Sequence, residues 1–236
     1  MIWAVGVGPG DPELLTLKAA QLIETADVVA GFETVLKVVG HLIRGESVTL
    51  TYQNQVDALA RVAAAHRAGQ RCVVCFMGDP SFSGYQLLER VERACAGRVE
   101  LVPGISSAQI VVARLGLPLE EAAFVSFHKR GDLDRDKEYL AQVLRWGRSA
   151  IVLPRPWDFM PAAIADFLIG RNVSPGTEVS VFEQLTMEEG EWHGTLDELR
   201  AGARGKGFSD MSILVIRGSG EPAERANAAA GPPEQV

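Results

Sequence analysis

The 236-residue chain is poor in cysteine, in aromatic residues and in positive charge. Its three cysteines are too few, and odd in number, for a disulfide-stapled scaffold, and they fit a reducing compartment. Cys72 and Cys75 spell C-x-x-C, but within Arg71–Met77, which reads as a strand, that odd spacing sends the two side chains to opposite faces. No second pair and no clustered histidine completes a zinc site, so no metal is expected. No apolar run reaches the length of a membrane helix, and no basic, cleavable leader precedes the first apolar stretch. A cytoplasmic protein without a membrane span is therefore expected. The net charge of −7 argues against binding nucleic acid over the whole surface, and leaves room for a local basic patch.

What the chain does have is a stretch of unusual density at its start, Ile2-Trp-Ala-Val-Gly6-Val-Gly8-Pro9-Gly10-Asp11-Pro12-Glu-Leu-Leu-Thr16. Ile2 to Val7 reads as a buried strand, and the glycines and prolines force a sharp turn. Asp11 in front of Pro12 predicts a capped helix start, with apolar spacing continuing to Ala26. Strand, glycine loop and helix start together place backbone amides where a ligand can meet them. A dinucleotide loop needs a third glycine where Asp11 stands. A carboxylate there opposes a pyrophosphate, and Pro9 and Pro12 lack the amides a phosphate would use. A sulfonium cofactor such as S-adenosylmethionine carries no phosphate and suits such a loop.

Further along, strands and helices alternate: strands at 27–30, 47–50, 71–77 and 99–102, with helices at 32–39, 56–68 and 85–96. This pattern predicts an α/β fold whose first half holds a mainly parallel sheet. Gly116-Leu117-Pro118 marks a boundary, giving an N-terminal α/β domain over 1–117 and a C-terminal α/β domain over 118–218. The second half reads as strand 123–127, charged loop 128–137, helix to Trp146, strand 150–153, helix 160–169 and strand 178–182. A turn or hairpin over 185–194, a short helix 196–201 and a last strand 211–216 complete it. Residues 219–236, rich in Ala, Pro, Glu and Gly without aromatics, are expected to be a disordered tail.

Ligands of open α/β sheets gather beyond the carboxyl ends of the strands. Three loops of the first half lie there: 6–12, 78–84 and 103–107. Asp79 is either a turn former and cap before Pro80, or an acceptor for a cofactor's amine, ribose or ammonium group. Ser106 and Ser107 are candidates to cap the next helix, a role compatible with ligand contact because a capped start still offers amides.

These three loops, Gly6-Val-Gly8-Pro9-Gly10-Asp11-Pro12, Gly78-Asp79-Pro80 and Pro103-Gly104-Ile105-Ser106-Ser107, resemble the signature loops of the tetrapyrrole methylases. The resemblance extends over residues 2 to about 217 and implies two α/β domains with S-adenosylmethionine in the trough between them, usually as a homodimer. It implies cofactor contacts at Pro9, Gly78, Asp79, Phe82, Ser106 and Ser107. In the later part it adds Leu153 or Pro154, Leu185 and Met211, where core packing is the alternative for Leu185 and Met211. Ser126-Phe-His-Lys-Arg130, Phe76–Gly84 and Ser106-Ser-Ala-Gln109 are similar to the precorrin-6Y C5,15-methyltransferases, with Lys129 in place of a glycine. The chain has no room for the further domain that long members use at C15. The resemblance therefore implies the C5-methylating subunit, with a separate partner for C15 methylation and decarboxylation.

Methyl transfer from a sulfonium is an in-line displacement that chiefly needs near-attack geometry. The absence of a recognisable triad or metal cluster is consistent with it. The polycarboxylate macrocycle calls for local cations, and His128, Lys129, Arg130 and Arg155 are the candidates, arginine suiting carboxylates through its fork. Arg135 and Lys137 lie nearby, while Asp132, Asp134 and Asp136 nearly cancel the cluster, so an ordinary solvated loop is the alternative. His128 is also the candidate for moving a proton. Competing readings are another tetrapyrrole carbon, the ribosomal-RNA and diphthamide branches of the superfamily, an NAD-dependent oxidoreductase, and a non-catalytic partner that binds tetrapyrrole without turning it over.

Overall fold

The computed structural model describes residues 2–97, 99–202 and 207–219. The chain falls into two compact units, one of Met1–Gly116 with Phe182–Gly190, the other of Leu117–Val181 with the chain from Glu191 onward.

In the first unit β1 (Ile2–Gly6), β2 (Val28–Phe32), β3 (Glu46–Leu50), β4 (Cys72–Phe76) and β5 (Val99–Val102) form one sheet in the order β3-β2-β4-β1-β5. Every pairing is parallel, as the alternating pattern predicts. Parallel strands need crossover helices, which cover both faces and make the central strands continuous apolar runs. β4 is buried at every position. Cys72, Val74 and Phe76 pack with Ile2 and Ala4 on one face, while Val73 and Cys75 pack with Val5 and Val7 on the other. The two cysteines thus part to opposite faces, as their spacing requires, and both are free thiols.

The helices of this unit are α1 (Leu17–Glu24), α2 (Glu33–Val39), α3 (Gln55–Arg67), α4 (Pro80–Ser83), α5 (Tyr85–Ala94) and α6 (Ser107–Leu115). The single helix expected behind Asp11 is instead two pieces. Asp11 caps a one-turn 3-10 helix, Pro12–Leu14, and α1 starts afresh behind Thr16, whose hydroxyl accepts the Ala19 amide at 3.2 Å. Leu15 is extended, and each cap satisfies its own turn. α6 ends at Gly116, whose φ of 57° is left-handed and suits a glycine stop.

The second sheet runs β6-β7-β10-β8-β9 and is mixed. Its strands are β6 (Ala122–Ser126), β7 (Ser149–Leu153), β8 (Glu178–Glu183), β9 (Gly190–Thr195) and β10 (Ser212–Ile216), with α7 (Asp134–Arg145), α8 (Pro161–Gly170) and α9 (Leu196–Arg200) between them. β6 and β7 are parallel, and β10 lies antiparallel on β7 with Leu214 opposite Val152. The core of the second unit gathers Phe127, Leu140, Ile164, Leu168, Leu196 and Leu214, all fully buried.

One expectation is corrected here and one alternative is decided. The charged loop stops at residue 133, because Asp134 to Lys137 already form the first turn of α7, where Asp134 and Asp136 complement the helix dipole. Of the turn or hairpin expected over 185–194, the structure has the hairpin: 190–195 is an edge strand beside β8, its exposed polar residues alternating with less exposed ones. The tail expected to lack order lies, from residue 220, outside the described residues. No helix of the described residues is long and apolar enough to cross a membrane.

Candidate functional site

The three loops that leave β1, β4 and β5 meet through their backbones. Gly78 donates its amide to the Gly8 carbonyl at 2.7 Å and accepts the Gly8 amide at 3.3 Å, an isolated antiparallel bridge between the first two loops. Asp79 joins the second loop to the third: Oδ2 accepts the Gly104 amide at 3.0 Å, while Oδ1 accepts the Ser81 amide at 2.7 Å and caps α4. Asp79 is 6% exposed, and both oxygens of this buried carboxylate are paired with amides.

Glycine is needed for this approach. A Cβ built on Gly6 would lie 2.6 Å from the Gly104 nitrogen and 2.6 Å from the Gly78 oxygen, and one on Gly104 would collide with the same carbonyl. Gly8 and Gly78 also have φ of 80° and 65°, conformations that L side chains rarely adopt. Around this junction Pro9 is buried and Phe82 is half-buried on α4. Ser106 caps α6 in a capping box with Gln109, its own amide donating to Gln109 Oε1 at 2.7 Å. Ser107 opens the helix, where first-turn amides have no intrahelical acceptor. Leu185 belongs to this unit as well and is 5% exposed.

The segment after β8 was missing from the sequence reading of this site, apart from Leu185. Thr186 Oγ1 accepts the Asp11 amide at 3.0 Å, and Met187 packs against Gly10, whose φ is 150°. Neither residue carries a motif, and 175 positions separate Thr186 from Asp11. The positive φ of Gln184 and Thr186, 47° and 65°, visible in three dimensions, marks the segment as unusual.

In the second unit the antiparallel pairing of β10 on β7 brings Met211, one residue before β10, to the end of β7 where Pro154 is buried. His128 follows β6 at the same end, β6 being parallel to β7. Its ring keeps solvent access, yet the protein around it pushes its pKa below the ordinary imidazole value; the Asp210 charge opposes this and pulls it up. A largely neutral imidazole at pH 7 serves as a proton acceptor better than as a cation for carboxylates.

Two of the other cations meet partners inside the unit. Lys129 Nζ lies 2.7 Å from Asp136 Oδ2. Arg155 grips Asp158 through Nε and Nη2 at 2.5 and 2.9 Å and donates Nη1 to the Gly131 carbonyl at 2.8 Å. Arg130, Gly131, Arg155 and Trp157 line an open hollow of about 320 Å³, with Arg155 stacked 5.7 Å from the Trp157 ring centre. Lys137 points elsewhere, over the Phe159 ring at 4.6 Å. The hairpin strands also line up Ser180, His193 and Glu191, at 2.8 and 2.5 Å, but the imidazole side chain is 54% exposed, as befits a solvated surface contact. Among the described residues no group of three or more His, Cys, Asp or Glu is placed to hold a metal ion.

The first unit therefore presents a cradle of main-chain groups at the carboxyl ends of parallel strands, edged by carboxylates rather than cations. Such a cradle fits a nucleoside without phosphates and a sulfonium, and it does not fit a pyrophosphate. A glycine-loop cradle of this kind on an α/β sheet is consistent with a methyltransferase that uses S-adenosylmethionine. The chain belongs to the tetrapyrrole (corrin/porphyrin) methylases, whose family model matches residues 1–200.

It is similar to a probable cobalt-precorrin-7 C5-methyltransferase of Methanocaldococcus jannaschii, at 31% identity over 94% of this chain and 100% of that protein. Among solved structures it resembles a cobalamin-biosynthesis precorrin-6Y methylase of Archaeoglobus fulgidus, with 27% identity, a TM-score of 0.68, and 92% and 97% of the two chains covered. A uroporphyrin-III C-methyltransferase of Thermus thermophilus complexed with S-adenosylhomocysteine has 27% identity, a TM-score of 0.70 and coverage of 92% and 91%. The chain is an S-adenosylmethionine-dependent methyltransferase, and the dinucleotide alternative has no support left.

Proposed function

We propose that this enzyme methylates C5 of a late precorrin, of the precorrin-6Y or cobalt-precorrin-7 kind, in cobalamin synthesis. The observation that carries the reading is the end-to-end match with a relative named for the C5 reaction alone. That relative's name also supports leaving C15 methylation and decarboxylation to a separate partner. A homodimer working in the cytoplasm belongs to the same proposal.

S-adenosylmethionine, when bound, supplies an already activated methyl group on sulfur. The chain's task is to place it. Pro9, Gly78, Asp79, Phe82, Ser106 and Ser107 hold the donor, the loop amides meeting its polar groups while Asp79 keeps two of the loops in register. Leu185, of the same unit, adds to the donor's contacts; Pro154 and Met211, at one end of β7 in the second unit, are the remaining candidates. Arg130, together with the Arg155–Trp157 hollow, receives carboxylate arms and a flat ring edge. Lys129 adds charge already half-neutralised by Asp136. His128, held toward its neutral form, accepts the proton released when the new carbon–carbon bond forms.

The test is incubation of the full chain with ¹³C-methyl S-adenosylmethionine and, separately, a late precorrin and uroporphyrinogen III. A single added methyl at C5 of the precorrin, located by carbon NMR, supports the proposal. A second reading, methylation of an early uroporphyrinogen-type ring, draws on the 28% identity over 95% of this chain to the sirohaem synthase of Gluconobacter oxydans, of which the chain spans 43%. Labelling of uroporphyrinogen III alone would establish that second reading instead.

A further inference from the structure

One carboxylate oxygen ties the end of α6 to the first glycine loop. Glu189 Oε1 accepts Arg114 Nη2 at 2.5 Å and the Thr186 amide at 2.6 Å. Thr186 in turn accepts the Asp11 amide on its hydroxyl at 3.0 Å, and the next residue, Met187, fills the space a side chain on Gly10 would need. Arg114 stands in the last turn of α6, the helix that Ser106 caps and Ser107 opens. The string Arg114–Glu189–Thr186–Asp11 thus spans from the helix that closes the third loop to the loop that follows β1. All four residues lie in the first unit.

Two features argue that this string sets position rather than stability. Each partner of the ion pair is 34% exposed, and pairs open to solvent contribute little to folding. Gln184 and Thr186 hold positive φ of 47° and 65°, so this segment does not adopt its shape by local preference and has to be held in it. The Arg114 guanidinium and the Thr186 amide hold the Glu189 carboxyl below its usual range, which keeps both bonds formed at neutral pH.

We infer that Arg114 and Glu189 are positioning residues for the methyl donor: acting through Thr186, they fix loop 8–11 at the height from which Pro9 and its neighbours meet S-adenosylmethionine. The inference rests on the reading of that loop as the donor's cradle. Neither side chain contacts the donor or the macrocycle in this scheme, so their removal changes the donor's affinity and leaves the macrocycle's alone.

The experiment is calorimetric titration of the full chain with S-adenosylhomocysteine, alongside thermal unfolding and steady-state kinetics, for Glu189→Gln, Arg114→Lys and the charge swap Arg114→Glu/Glu189→Arg. Glu189→Gln is expected to weaken S-adenosylhomocysteine roughly 5- to 20-fold, the size of a modest coupling between sites. KM for S-adenosylmethionine should rise in step, with KM for the macrocycle unchanged and the melting temperature moved by no more than about 2 °C. Arg114→Lys, which keeps the charge, should lose less affinity than Glu189→Gln, and the swap should not restore it, because an arginine at 189 offers no acceptor to the Thr186 amide. Pro9→Leu serves as the control on the cradle itself. If Pro9→Leu weakens binding and Glu189→Gln does not, the inference is overturned and the cradle stands. If the wild-type chain fails to bind S-adenosylhomocysteine, both fall together. If Glu189→Gln and Arg114→Lys unfold the protein, the pair is structural and the inference is overturned.

Discussion

Asp79 and Gly104 stand 25 residues apart and are joined by a 3.0 Å bond from the Gly104 amide to Asp79 Oδ2. The other oxygen of the same carboxylate caps the turn that begins at Pro80. One buried side chain therefore shapes its own loop and fastens the loop after β5 to it. The Gly8–Gly78 bridge adds the loop after β1, so the cradle is a backbone assembly with the Asp79 carboxylate pinned inside it.

Replacing that carboxylate should cost stability and affinity together. Asp79→Ala orphans the Ser81 and Gly104 amides, each worth about 1–3 kcal/mol when left unpaired, though water entering the gap recovers part of this. A loss of roughly 2–4 kcal/mol in urea unfolding is expected, with S-adenosylhomocysteine binding weakened. Asp79→Asn, which keeps one acceptor, should fall in between. A variant that lost affinity at unchanged stability would assign Asp79 to the ligand rather than to the loops.

The glycines of the cradle and those of the surface should respond with opposite signs. Gly104→Ala drives a methyl group into the Gly78 carbonyl and the Gly6 backbone, where nothing flexible can yield. It is expected to cost about 1–3 kcal/mol or more and to abolish S-adenosylhomocysteine binding. Gly40 is exposed, has φ of −55° and has open space beside it, so Gly40→Ala should gain about 0.4–1 kcal/mol with binding intact. Chemical denaturation of both variants checks the pair.

The contrast between those glycines shows what was legible in the chain. β1, β4 and the loops behind them announce themselves because a buried parallel strand must be apolar throughout and a tight backbone contact must be glycine, both local requirements. Ser106 and Ser107 were both legible as caps, and only the structure, through the capping box with Gln109, assigns the role to Ser106. Asp79 was legible as a cap, but its bond to Gly104 depends on β4 and β5 flanking β1, a fact of topology. Thr186 and Glu189 were invisible, since their roles arise from a distant part of the chain returning to the first unit. Lys129 and Arg155 were legible as cations but not as partners of Asp136 and Asp158, because helix register and loop shape decide which charges meet.

The three cysteines should be inert in the folded protein. Burial pushes the Cys72 thiol up to about 11 and Cys75 up to about 12, and Cys95 is raised by burial as well. Only the thiolate is a good nucleophile, so at pH 8 almost none is available. A disulfide reagent such as dithionitrobenzoate is expected to titrate no thiol in native protein and three after denaturation in guanidinium. Rapid reaction of Cys72 or Cys75 in the native state would contradict their placement in β4.

His128 gives the pH dependence a definite sign. Partial desolvation lowers its pKa from 6.5, against the opposing pull of Asp210. The folded state therefore favours the neutral ring: its stabilising contribution is complete above the unfolded value near 6.5 and is lost as pH falls through the lower folded value. NMR titration should place the imidazole midpoint below 6.5, and Asp210→Asn should move it further down by removing the charge that raises it. Between pH 7 and pH 5 the wild type should lose more stability than His128→Asn. If the neutral ring takes up the proton in methyl transfer, kcat/KM will fall on the acid side with that same midpoint. The limb should then be absent, on a lower plateau, in His128→Asn, whereas an unchanged profile in this variant would remove His128 from the chemistry and leave it a neighbour of the arginine hollow.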